Sequence, residues 1–331
     1  MTPKTITVFG ATGNQGGSVL RSLLQNSNFA ARGITRNPQS NASMALAARG
    51  VEMIQADGFN SEEMITAFHG SWGAFVNINS DDKIFANTKG PTEFDMGKTI
   101  VDAAAHAGVQ HFVFSSGPPC TEMTGGLVQM KAMDMKYKIE KYARDLRAFK
   151  SVNPIGAGWF LENFLGKEAA PVFGGFPHFP DEEGFLTFRV PYWGGEENVP
   201  WLSISDDFGD IVQGIFLDPM RWDGHFVHGV SHICSFDRVV ADFQDVSGQK
   251  SRFVPILPSW EAFDTHGIHE LEDVKLMFGF TQITDGKYFA DPTECHTASE
   301  LKKTTAMALG WSESRYELVT AREWFSVRFE K

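Results

Sequence analysis

The chain has 331 residues, of which 42% are hydrophobic and 21% charged, and its formal net charge is −12. That is enough apolar material for one large α/β domain or two lobes around a cleft, and no stretch approaches the ~18 consecutive apolar residues of a membrane span. An acidic chain without a basic stripe is also a poor binder of nucleic acid, whose affinity is dominated by phosphate contacts.

The predicted elements begin at once. Residues 4–9, Lys-Thr-Ile-Thr-Val-Phe, read as a strand. The run Gly10-Ala11-Thr12-Gly13-Asn14-Gln15-Gly16 follows, and a helix over 14–26 carries Val19, Leu20, Leu23 and Leu24 on one face. Strand, glycine turn and helix in that order suit a dinucleotide pyrophosphate. Gly10 makes the turn, Gly13 lets the backbone approach the phosphates, and Gly16 lets helix and strand pack closely. The helix N-terminus offers unpaired N–H groups to the anion. The N-terminus shows no charged-then-apolar leader, so a cytoplasmic protein is expected.

The second strand, 30–35, ends in Arg36-Asn37-Pro38. NAD-binding folds place an acid here for the ribose 2′-hydroxyl. No Asp or Glu occurs in residues 1–51, which carry five cations and leave −17 on the remainder. Arg36 suits a 2′-phosphate, through its planar fork. The expected cofactor is therefore NADP(H) rather than NAD(H). Further strands are predicted at 51–55, 73–78, 111–115 and 149–154, with helices at 40–49, 60–69, 91–107 and 129–147. This alternation predicts a Rossmann-type, doubly wound parallel sheet with its ligand at the carboxyl ends of the strands. Asp57, after the third strand, either approaches the adenine or closes a surface turn.

From 155 the texture changes. Glycine, proline and aromatic residues crowd 155–201, which reads as a long insertion containing a hairpin; a disordered linker would lack the aromatics. Its rings, among them His178, Tyr192, Trp193 and Trp201, either line the cleft or form the core of a second lobe. Ser203 caps a helix at 207–217, and 225–230 reads as a last strand of the sheet. Helical patterns follow at 236–247, 260–265, 269–278 and 297–309. The expected division is a cofactor domain over 1–155, its sheet completed by 203–232. A smaller α/β lobe for substrate or partner takes 156–202 and 233–331. Cys120, Cys234 and Cys295 are too scattered for a disulfide framework or a zinc cluster, and the ten histidines lack ligand spacing, so no metal is expected.

Several segments together resemble NmrA-type members of the atypical short-chain dehydrogenase/reductase superfamily. They are Gly10–Gly16, Thr35-Arg-Asn-Pro38, Ala74-Phe-Val-Asn77, His111-Phe-Val-Phe-Ser-Ser116, Lys136-Tyr-Lys-Ile-Glu-Lys-Tyr142, Phe160-Leu-Glu-Asn163, Val199-Pro-Trp-Leu202 with Asp207-Phe-Gly209, and Arg221-Trp-Asp-Gly224. They span about residues 4–230, and the Lys136 segment, the Pro-Trp-Leu segment with Asp207-Phe-Gly209, and Arg221-Trp-Asp-Gly224 match fungal relatives more specifically. The resemblance implies an NAD(P)-binding Rossmann domain with a smaller C-terminal lobe. It also implies one of two functions: an NADPH-dependent reductase, or a non-catalytic redox sensor, nuclear as well as cytoplasmic, that binds a protein partner such as a transcription factor. It further implies that Asn77 and Asn79 touch the cofactor ribose or phosphate, and that Pro154, Phe160 and Asn163 belong to the segment passing the nicotinamide.

Short-chain reductases set tyrosine and lysine at i and i+4 on one helical face, so that lysine lowers the tyrosine pKa. Lys136 fits that lysine, but Ala132 stands at the tyrosine position. Tyr137 points about 100° away around the helix, and Tyr142 belongs to helix packing. Lys136 then either does the acid–base work itself or only anchors ribose hydroxyls. Ser115 and Ser116, at the end of the fifth strand, either cap a turn or polarise an acceptor. The expected substrate is a small apolar or aromatic molecule with a carbonyl, imine or conjugated double bond. A nucleotide-sugar epimerase would need the missing tyrosine.

Overall fold

A computed structural model describes residues 2–87 and 89–329, with the backbone alone at 269 and 270. Residues 1, 88, 330 and 331, which fall inside the domain ranges above, lie outside it.

Elements follow in chain order. The first half runs β1 (Lys4–Phe9), α1 (Asn14–Leu23), β2 (Phe29–Thr35), α2 (Asn41–Ala48), β3 (Glu52–Gln55), α3 (Ser61–Phe68), β4 (Gly73–Val76), α4 (Glu93–His106), β5 (His111–Ser116), α5 (Cys120–Met123), α6 (Lys131–Leu146) and β6 (Ser151–Ala157). Then come β7 (Trp159–Phe160), β8 (Leu186–Phe188), β9 (Val199–Leu202), α7 (Gly209–Leu217), β10 (Val227–Gly229), β11 (His232–Cys234), α8 (Phe236–Ser247), β12 (Ser251–Phe253), α9 (His269–Ile283), α10 (His296–Ala308) and α11 (Ala321–Phe329).

The main sheet has the order β10-β6-β5-β4-β1-β2-β3, with every pair parallel. The chain reverses direction across the sheet at β1 and β4, where a doubly wound fold opens its ligand crevice. Period-two alternation sends side chains to two cores. Ile6, Val8, Phe75 and Val113 pack with α1, α7 and α10, whereas Ala74, Val76, Phe112 and Phe114 pack with α3, α4 and α6. Both faces are covered, as the apolar strands require.

Local capping sets several helix starts. Thr92 and Asp95 form a reciprocal capping box at α4, and Ser203 accepts from Asp206 N–H at a π-helical turn leading into α7. Strand β6 runs three residues beyond the predicted end at 154 because it pairs with Ser115 and Ser116 and with β10.

The hairpin expected in 155–201 is absent and is corrected here. Strand β8 pairs in parallel with the later β12, and β9 lies between β7 and β11. These strands find partners distant in sequence, and the local pairing at Gly175 and Thr187 is a single parallel bridge beside two glycines at positive φ, Gly174 and Gly175. The region predicted helical at 260–265 is one short turn, Trp260–Ala262. A third core, away from the main sheet's two faces, is aromatic. Trp193, Trp201, Phe188, Phe236 and Phe278 are buried there, which is the core role rather than the cleft role for those rings.

Candidate functional site

The glycine turn is shaped by close backbone approach. Gly10 has φ +80°, and a Cβ on it would lie 2.5 Å from the Asn77 carbonyl oxygen. A Cβ on Gly16 would lie 2.2 Å from the Gly10 oxygen. Both are far inside van der Waals contact, so only glycine fits. Gly13 is different: its N–H donates to Gly10 O at 3.0 Å, and its φ of −82° is open to any residue. No side chain caps α1 and no acid occupies its first turn. Thr12, Gly13 and Asn14 are exposed along a cleft, while the Gln15 Oε1 beside them is buried without a hydrogen-bond partner. A bare helix start, a glycine cradle and an orphaned polar atom together fit a dinucleotide pyrophosphate. Ala11 and Gly16 lie buried behind this surface and do not line the cleft.

The cleft, about 890 Å³, runs along the carboxyl ends of the strands. At one end stand Thr35, Arg36, Asn37 and Ser40, facing Asn77, Asn79 and Asp82. The Arg36 guanidinium reaches across to Asp82 Oδ2 at 2.7 Å. Asp82 also accepts from Ile84 N–H, which fixes its turn. Asp57 is not part of the lining; its carboxylate accepts from Phe59 N–H at 2.9 Å and closes a turn.

Midway, Lys136 projects from α6. Its Nζ donates to the Ile78 carbonyl at 2.7 Å and to Glu93 Oε1 at 2.6 Å. Both side chains are largely withdrawn from solvent, at 13% and 5% exposure. Two of the three ammonium protons are thus engaged, and one remains for a ligand. Ala132 lines the cleft one turn before it. Tyr137 does not line the cleft, and the Tyr142 hydroxyl donates to Asp102 at 2.6 Å in the α4–α6 contact.

Ser115 and Ser116 both line the cleft but face opposite sides of the sheet. Ser115 makes no side-chain hydrogen bond among the described residues. Ser116 Oγ donates to Glu140 Oε2 at 2.7 Å. Burial pushes the Glu140 carboxyl above the usual glutamate range, while hydrogen bonds from Ser116 and Arg144 pull it back. Phe160 and Asn163 line the cleft; Pro154 sits inside β6 and does not.

Beyond them the wall is apolar and aromatic: Met130, Met133, Trp159, Val274, Met277 and Tyr288, with Asp273 among them. Trp159 stacks on Trp201 with centroids 5.2 Å apart and rings 7° from parallel. Glu93, Asp82, Trp159 and Tyr288 were not singled out by sequence reasoning. Glu93 reads as an ordinary acid in a helix first turn, and Trp159 as one ring among many.

Among the described residues no group of three His, Cys, Asp or Glu is placed to hold a metal ion, and no helix is long and apolar enough to cross a membrane.

Comparison with known proteins adds the following. A family described as the NmrA-like family matches residues 2–310. An NmrA-like family domain-containing oxidoreductase, lnaB of Aspergillus flavus, is 70% identical over 327 residues, covering 98% of each chain. A second such oxidoreductase, FrzB of Cladobotryum sp, is 63% identical over 328 residues, again covering 98% of each. Among solved structures, NmrA, a negative transcriptional regulator in complex with NADP, superposes with a TM-score of 0.71 at 22% identity, covering 99% of this chain and 97% of its own. At that identity the likeness concerns the fold alone.

Proposed function

The chain belongs to the NmrA-like family, and on that premise we propose that it is an NADP(H)-binding oxidoreductase. In this reading it reduces a carbonyl, imine or conjugated double bond in a small apolar or aromatic molecule. The observation that carries it is a single cleft running from the glycine cradle past Lys136 to an aromatic and methionine-rich wall. Such a wall with few polar groups suits an apolar substrate. Arg36 and the absence of an acid at the end of β2 favour the 2′-phosphate of NADP(H) over NAD(H). The oxidoreductase names of relatives at 60–70% identity support the same class.

Reduced cofactor supplies a hydride when bound. The chain's own residues do the rest. Thr12, Gly13 and Asn14 hold the pyrophosphate on a turn shaped by Gly10, Ala11 and Gly16, with Gln15, Asn77 and Asn79 beside it, and Arg36 holds the 2′-phosphate. The third Lys136 proton anchors ribose hydroxyls or the acceptor. Ser115 and Ser116 orient the acceptor, and Phe160 and Asn163 border it. Residues 1–155 with 203–232 form the cofactor side. Residues 156–202 and 233–331 contribute Trp159, Met277 and Tyr288 to the substrate end.

A second reading, a redox sensor that binds the dinucleotide and a protein partner without turnover, is favoured by one observation, Ala132 at the tyrosine position. Lys136→Ala separates the two. It is made together with Glu93→Gln, so that no buried carboxylate is stranded. The reductase reading predicts loss of turnover in this pair, with the fold intact by circular dichroism. Unchanged NADPH turnover in the double variant contradicts a role for Lys136. Absence of any turnover in the parent protein, with tight NADP binding, supports the sensor.

A further inference from the structure

The tyrosine–lysine proton relay is absent, yet reduction leaves an acceptor atom that needs a proton. Glu93 is held as the ion-pair partner of Lys136, and a second buried acid, Glu140, connects to the cleft through a hydroxyl. Glu140 is 5% exposed and bonded to Ser116, which lines the cleft beside Lys136. Its second oxygen accepts from Arg144 Nη1 at 3.2 Å, at a position half open to solvent. Residues 136, 140 and 144 lie on one face of α6, so this path runs from the cleft to the outer surface.

We propose that Glu140 is the proton reservoir of the reaction, delivering through the Ser116 hydroxyl to the reduced acceptor. This rests on the reductase reading above. The acceptor carbon gains a hydride with its electron pair, and the π pair of the double bond moves to the acceptor heteroatom, or along the conjugated system. That atom takes the Ser116 Oγ proton as Oγ takes the Glu140 carboxyl proton. The Glu140 carboxylate is then reprotonated by solvent near Arg144.

Protonation also sets the direction of the bond. With Glu140 ionised, the Ser116 O–H points at the carboxylate and away from the cleft. With Glu140 protonated, the carboxyl O–H donates to Oγ and the serine proton turns toward the ligand. The charged groups around Glu140 are few. Arg144 and Lys136 lie one turn away on α6. On α4, Glu93 is paired with Lys136, and Lys98 and Asp102 with each other. Strand β5 presents Ser116 and, at its far end, His111, which bonds Ser151 of β6. Helix α5 meets the opposite end of α6, through Thr121 and Asp134.

Glu140→Gln tests this, because the amide keeps the size and still donates to Ser116 but carries no transferable proton. NADPH oxidation is followed from pH 5 to 9 with three probes: 9,10-phenanthrenequinone, 3,4-dihydroisoquinoline and cinnamaldehyde. The expected result is a parent kcat that falls as pH rises through the Glu140 titration. In Glu140→Gln, kcat should drop on the order of 10²-fold and lose that limb, with NADPH affinity by calorimetry unchanged. Ser116→Ala should behave likewise and Ser116→Thr should recover. An infrared carboxyl band should titrate over the same pH range and vanish in Glu140→Gln. Parent turnover with the same rate and pH profile in Glu140→Gln overturns the relay alone. No NADPH oxidation by the parent with any probe overturns the reductase reading and the relay with it.

Discussion

At the residue scale the cofactor end turns on one ion pair. Arg36 is the group suited to a 2′-phosphate, and Asp82 holds it at 2.7 Å. If Arg36 holds the 2′-phosphate as proposed, that phosphate must take the guanidinium from a carboxylate, and Asp82 is expected to lower NADP affinity and leave NAD affinity untouched. Arg36 is 62% exposed, and such pairs are weak. Asp82→Asn should therefore tighten NADPH binding by roughly 1.5- to 5-fold with NADH affinity unchanged, read by calorimetry at fixed ionic strength. Equal shifts for both cofactors would contradict competition at Arg36. Sequence alone singles out Gly10, Arg36, Lys136 and Ser116, all of which line the cleft, because each belongs to a local pattern whose chemistry is known. Asp82, Glu93 and Trp159 acquire meaning only from partners more than 40 residues away, Arg36, Lys136 and Trp201, and Glu140 from Ser116 on a different element. No spacing within one element announces them. Asp57 shows the reverse case, an acid in a suggestive position whose carboxylate serves its own turn.

At the element scale, alternation of strands and helices was readable through 154, because a parallel sheet buried on both faces needs apolar runs separated by amphipathic helices. The later part was not. Strands β8 and β9 are three and four residues long, and their partners lie far along the chain. Pairing of that kind leaves no turn signature between the strands, so a hairpin was expected where none exists. Glycine carries information of another sort in the helices. A Cβ on Gly214 of α7 would sit 2.4 Å from the Leu301 carbonyl oxygen of α10, and one on Gly209 would sit 2.2 Å from that of Ser18. Backbone cannot yield as a flexible side chain does. Gly214→Ala should then destabilise the protein by about 1–3 kcal/mol, lowering the urea midpoint with little change in slope. An unaltered midpoint would mean that α7 and α10 can separate freely.

At the scale of the whole molecule, residues of three cores line the cleft, and buried titratable groups set how the fold answers pH. Burial, aided by Lys150 and Lys4, pushes His111 down to about 4, and burial also lowers His228 and His232. A histidine held below its unfolded value of about 6.5 binds fewer protons when folded. Stability is therefore fully present above pH 6.5 and lost as pH falls toward 4. Glu140 and Asp210, raised by burial, work in the opposite sense. The clean measure is a difference. His111→Asn should lose less stability than the parent between pH 7 and pH 4.5, by up to about 3 kcal/mol, in urea titrations at both values. Parallel losses would show that His111 does not carry the dependence.

The proposed reaction is hydride transfer from NADPH to a small molecule within this cleft. NADPH deuterated at C4, each face separately, incubated with the protein and an extract of small molecules, tests it most directly. Deuterium is expected in one product from one face only, abolished by Lys136→Ala with Glu93→Gln. Tight NADPH binding with no label transferred from either face would contradict it.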